Sequence, residues 1–141
     1  MRVTDNGGCF ACGPNNPIGL HLHFRTEGDA YHTEFVPTEH HQGYAGIVHG
    51  GILATLLDEV MARFCWVSGV PAMTAEMRVS LLKPAFVGQR LTATGRITRR
   101  HHRLLLCEAS LRRDDGTIVA TAEGKFLRVP HEPAPVTPPT E

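Results

Sequence analysis

Residues 52–66, ILATLLDEVMARFCW, are the one stretch of this 141-residue chain that reads as a long helix: they hold no Gly or Pro, and their apolar positions recur at helical spacing. Leu53, Leu56, Leu57, Val60 and Phe64 mark one face, and Ala54, Thr55, Ala62 and Cys65 form a neighbouring face of small side chains. A helix apolar over so much of its girth has to be covered on most sides. With no second helix available, strands must supply the cover.

The flanking segments carry strand patterns. Apolar and polar residues alternate over 20–24 and again over 31–35, around a Glu27-Gly28-Asp29 turn, which predicts a hairpin with one buried face. Past Ser68-Gly69-Val70-Pro71, strands are expected at 73–82, closed by Lys83-Pro84, then at 89–98, 103–111 and, after an Asp114-Asp115-Gly116 turn, 117–129. The pattern predicts an α+β domain over 20–129, a curved antiparallel sheet of about five to six strands wrapped around one long central helix. Residues 7–19 carry four Gly and two Pro around Cys9-x-x-Cys12, so residues 1–19 are expected as a loop or lid packed on the domain. The Pro-rich tail 130–141 is expected to be disordered.

Composition narrows the function classes. Fourteen Lys+Arg balance fourteen Asp+Glu, which removes the broad positive footprint that nucleic-acid binding needs. No run of apolar residues is long enough to span a bilayer, and the first residues lack the apolar core of a secretory signal, so no membrane association and a cytoplasmic location are expected. Cys65 and Cys107 sit in apolar runs and read as small core residues. Cys9 and Cys12 have the spacing of two metal ligands or a redox pair. A structural zinc site needs four ligands, however, and there is no second Cys-x-x-Cys; His21 and His23 complete one only if the loop folds back. No metal and no cofactor are expected.

Two features carry possible chemistry. His49-Gly50-Gly51 stands where the helix begins, and Gly there lets a ligand approach backbone N–H groups that have no partner inside the helix. Such donors suit a polarised carbonyl or a developing oxyanion. They also suit nothing more than a tight turn. Asp58 lies in mid-helix beside the most apolar stretch of the chain, where a carboxylate is costly unless it is paired or faces a polar pocket, and where it is placed for base catalysis. Glu59, with Arg63 four residues on, reads as an ordinary solvated pair. His49 and Asp58 are nine residues apart, a helical rise of roughly 13 Å and a rotation of about 180°. If both serve one carbonyl, they come from two chains, and a two-fold axis then makes two identical composite sites.

The run from Gly46 to Asp58, GIVHGGILATLLD, followed by a strand closing in Lys83-Pro84-Ala85 and then Gly88, resembles the hotdog-fold acyl-CoA thioesterases of the phenylacetate-pathway (PaaI-like) type. The resemblance covers roughly residues 19–129. It implies hydrolysis of an acyl-CoA thioester between two subunits of a homodimer, with homotetramers also expected. By analogy Gly50 N–H polarises the carbonyl, His49 positions the thioester or the helix start, and Asp58 of the other subunit activates water or attacks directly. Thr74 aligns with a Ser or Thr that holds the attacking water. Many relatives carry Asn or Gln some six residues before the His; here that position is Gly43, and Gln42, one residue earlier, is the candidate replacement. Gly51, Lys83 and Arg90 are candidates for binding substrate, the two cations facing CoA phosphates, with the 99–103 basic cluster as a further possibility. Non-hydrolytic acyl-CoA binding is the rival reading. A hydratase ranks below both, because the paired Asp and His of that chemistry are missing.

Overall fold

The expected helix runs over Gly50–Val67 (α1) in the computed structural model, which describes residues 2–130. Its buried face comprises Leu53, Leu56, Leu57, Val60, Met61, Phe64 and Cys65, each large side chain contributing about 1.5–3 kcal/mol by leaving water. Cys65 therefore belongs to the core rather than to the small-residue stripe. It touches Cys107 with 3.7 Å between the sulfurs, both thiols free and buried. The helix stops where Ser68 N–H folds back to Phe64 C=O and Gly69 takes φ 83°, a left-handed conformation that glycine adopts at little cost.

Six strands surround α1: β1 (Phe24–Glu27), β2 (Ala30–Phe35), β3 (Ala72–Leu81), β4 (Leu91–Arg100), β5 (Leu104–Arg113) and β6 (Ile118–Arg128). They form one antiparallel sheet in the order β1-β2-β4-β5-β6-β3. The α+β architecture of a curved sheet wrapped on one helix is thus the observed one. Sheet and helix approach closely at Gly95 of β4, where a Cβ would stand 2.8 Å from the Val60 carbonyl oxygen. Near the helix C-terminus, Phe64 stacks on Tyr31 and Tyr31 on Phe24, with centroids 5.1 and 4.9 Å apart.

The first strand differs from the expectation. Pairing starts at Phe24, not at Leu20. Leu20 and Leu22 are buried as their alternation requires, but their N–H groups bond to the carbonyls of Phe10 and Ala11 in the N-terminal loop. The alternation reported burial correctly and named the wrong partner, because a loop can cover apolar side chains as well as a strand can. Of the 130–141 tail only Pro130 is among the described residues, and its carbonyl accepts from Val3 N–H at 3.1 Å.

Candidate active site at the helix and its flanking strand

The helix start is built by its own cap. His49 is the N-cap, with φ −59° and ψ 134°, and its Nδ1 accepts from Gly51 N–H at 2.8 Å. A Cβ on Gly51 would lie 2.9 Å from that nitrogen, so the ring needs glycine there to reach its donor. His49 N–H is held by His41 C=O, and Gly43 lies against the His49 ring. Gln42 Oε1 accepts from Gly46 N–H at 3.0 Å, closing the loop that leads into the helix. Gly50 N–H, first of the helix, has no acceptor within it. It borders a recess of about 350 Å³ that Leu53, Leu81, Leu82, Lys83 and Pro84 also line. Gly50 and Lys83 therefore share one hollow.

Asp58 is half-buried at mid-helix, and Thr74 Oγ1 donates to its Oδ1 at 2.7 Å. The bond depends on an irregularity in β3. Thr74 pairs with Phe126 and Glu76 with Lys125, so Ala75 is an extra residue on the β3 side. Phe126 is fully buried and Lys125 exposed, and directly paired residues share a face of the sheet. The bulge thus puts Thr74 on the helix side along with Met77 and Val79; strict alternation would turn it away.

Glu59 corrects the sequence expectation. Its carboxylate is half-buried under the N-terminal loop, and Cys9 Sγ donates to Oε1 at 3.7 Å. Arg63 turns instead to Asp5, 3.3 Å away. Burial pushes the Glu59 carboxyl above the usual range, and burial with the adjacent carboxylate pushes the Cys12 thiol up. The i,i+4 spacing missed this because the competing partners come from fifty residues upstream. His21 does not join the thiols; its Nε2 faces the Asn16 carbonyl.

The remaining cations are spread out. Arg90 bonds Glu34 on β2 at 3.1 Å. Residues 99–103 form the exposed β4–β5 turn. Within one chain, Gly50 and Asp58 are separated by roughly 12 Å of helix. Leu81, at the far end of β3 from Thr74, lies against Gly50, where a Cβ would meet its Cδ1 at 2.9 Å. β3 pairs with β6 along one side only, so its other edge is free among the described residues. No described helix is long and apolar enough to cross a membrane.

Known proteins fit this arrangement. The family model of the thioesterase superfamily matches residues 45–120, which include the helix start, Asp58 and Thr74. Acyl-coenzyme A thioesterase 13 of Mus musculus is 31% identical over 75 residues, 52% of this chain and 54% of that protein. The chain thus spans about half the length of that curated relative. Acyl-coenzyme A thioesterase PaaI of Escherichia coli K12 is 27% identical over 112 residues, 79% of each chain. A crystal structure of a thioesterase superfamily protein superposes with a TM-score of 0.81 at 27% identity, over 86% of this chain and 60% of that one. By sequence and by fold, the chain belongs to the thioesterase superfamily, in its PaaI-like hotdog branch.

Proposed function

We propose that this protein hydrolyses acyl-CoA thioesters in a site shared by two copies of the chain. The observation that carries the reading is the Thr74–Asp58 hydrogen bond beside the free edge of β3. A ten-residue edge strand with an unpaired row of N–H and C=O groups is a template for a second strand. If two β3 edges pair antiparallel about their middle, the Thr74 end of one copy meets the Leu81 end of the other. Because Leu81 borders Gly50, Asp58 and Thr74 of one copy then face the helix start of its partner. The separation of acid and amide within one chain is thereby closed between two.

In that site the thioester oxygen accepts from the partner's Gly50 N–H, and the helix dipole favours the charge that gathers there. The Thr74 hydroxyl donates its hydrogen bond to Asp58 and keeps its lone pairs to accept from a water. Asp58 takes one proton of that water as the oxygen attacks the carbonyl carbon. The C–S bond then breaks, and the CoA sulfur leaves as thiolate and is protonated. In a second form of the mechanism Asp58 itself attacks and water hydrolyses the resulting anhydride. His49 holds the helix start through Gly51, and Lys83 at the recess meets the CoA phosphates. Gly51, Gln42 and Arg90 are assigned supporting roles, Arg90 through the phosphates and Gln42 through the loop before His49.

Hydrolysis is tested by thiol release from short, medium, long and aromatic acyl-CoAs, with sedimentation expected to give at least a dimer. Turnover lost in Asp58→Asn with CoA binding retained is the expected result. The Gln42 amide oxygen is committed to Gly46, which favours the rival, a non-hydrolytic acyl-CoA binder. Binding without thiol release from any of the panel would decide for that rival.

A further inference from the structure

The cluster at Cys9, Cys12 and Glu59 is not used by the hydrolysis chemistry, and three features of it converge. Its three donor atoms, two sulfurs and a carboxylate oxygen, all lie within 4.8 Å of one another. Cys9 Sγ stands 3.7 Å from Glu59 Oε1, long for a hydrogen bond but close to a coordination edge. Tetrahedral zinc with metal–sulfur bonds of about 2.3 Å and metal–oxygen bonds of about 2.0–2.2 Å puts S and O about 3.5 Å apart and two sulfurs about 3.8 Å apart. The Cys9–Glu59 edge thus already has about the length that one ion would require, and the Cys12 sulfur lies within 4.8 Å of both donors.

The second feature is the turn that presents the sulfurs. Gly13 N–H bonds to Cys9 C=O at 2.8 Å, and a Cβ on Gly13 would fall 2.3 Å from Cys9 N and 2.5 Å from Gly7 C=O. Only glycine closes this Cys-x-x-Cys-Gly turn, and closing it brings both thiols over Glu59. The third feature is surroundings. The cluster opens on a recess of about 410 Å³ bordered by Asp5, Arg63, Trp66 and Met73, which leaves room for a fourth ligand such as water. Two thiolates, a carboxylate and a divalent cation carry a net charge of −1, and the same recess holds the Arg63–Asp5 ion pair, which is neutral as a unit.

We propose that Cys9, Cys12 and Glu59 bind one thiophilic divalent cation of the zinc(II) class, fastening the N-terminal loop to the middle of α1. Each thiol loses its proton to solvent as its sulfur takes the metal, and no electrons are transferred. Two thiolates and one carboxylate select zinc over the hard cations magnesium and calcium. The site is independent of the hydrolysis reading, since it uses none of the residues assigned there.

The test uses the full chain, reduced and stripped with a chelator. Zinc(II) is titrated against a chromophoric competitor, and cobalt(II) is followed through its thiolate charge-transfer absorption. Trp66, the only tryptophan and a wall of the recess, reports through its fluorescence. One equivalent per chain, a zinc-dependent rise in Tm, loss of the cobalt–thiolate band in Cys9→Ser and Cys12→Ser, and an affinity at least about tenfold weaker in Glu59→Gln are expected. The wild-type titration stands even if a variant fails to fold. Reduced wild-type protein that takes up no zinc(II) and shows no cobalt–thiolate band would overturn the proposal; a Cys9–Cys12 disulfide in the protein as purified would then mark a redox pair instead. Zinc uptake undiminished in both cysteine variants would overturn it as well.

Discussion

Asp58 and Glu59 are consecutive carboxylates on one helix, and they meet different partners. About 100° of helical rotation separates them. Asp58 looks toward β3, accepts a hydrogen bond from the Thr74 hydroxyl at 2.7 Å and stands near the free edge of the sheet. Glu59 looks toward the N-terminal loop, meets two thiols and is closed in by them. The residue type is nearly constant between the two, so chemistry is assigned by what the fold brings over each face. In the proposed roles, a strand edge with a hydroxyl serves water and a second chain, whereas a glycine-rich turn with sulfur serves as a fastening.

Paired substitutions are the strongest way to break that contrast. Asp58→Asn is expected to lower kcat for acyl-CoA hydrolysis by roughly 10²–10⁴-fold, the scale of lost acid–base catalysis, with far-UV circular dichroism unchanged. Glu59→Gln, one residue on, is expected to leave kcat within about twofold. Equal losses in both, measured by thiol release on the same acyl-CoA, would erase the distinction. Thr74→Val sharpens it on the Asp58 side: removing a hydrogen bond to a charged group is worth roughly a tenfold fall in kcat. A change confined to KM would mean that the hydroxyl serves binding alone. His49→Ala is the mildest of the series, costing the helix its cap and about 1 kcal/mol of stability, read as a lowered denaturation midpoint in urea. An unchanged midpoint would show that the Nδ1 bond to Gly51 adds nothing.

Much of this was legible beforehand, and the failures have a common origin. The helix and the six strands follow from period 3.6 and period 2 patterns, which report burial along each element. Asp58 stood out because a carboxylate among apolar neighbours is costly, and the His49-Gly50-Gly51 start stood out because helix termini have spare donors. What periodicity does not report is the identity of the covering group. Leu20 and Leu22 are buried by the loop at Phe10 and Ala11 rather than by a strand. Glu59 has a good local partner in Arg63, yet that arginine goes to Asp5 and the thiols take the carboxylate. The bulge at Ala75 shifts the parity of β3, and its trace in the sequence is slight: helix-side residues fall at Ala72 and Thr74, then at Met77 and Val79. Long-range partners and single-residue insertions in a ladder are set by tertiary packing, which a local pattern samples only through burial.

In the proposed site the acid of one copy works with the helix-start amide of another, and hybrid dimers report on that sharing. Gly50→Pro removes that N–H at the first helical position, where proline is tolerated, and His49 before it already has an extended ψ of 134°. Alone, it is expected to lower kcat by roughly 10²–10³-fold. Mixed one to one with Asp58→Asn and allowed to exchange subunits, two nearly inactive proteins should recover about one quarter of wild-type activity, because half the dimers are hybrids and each hybrid holds one intact site. A mixture no more active than its separate components, with subunit exchange verified, would contradict the shared site.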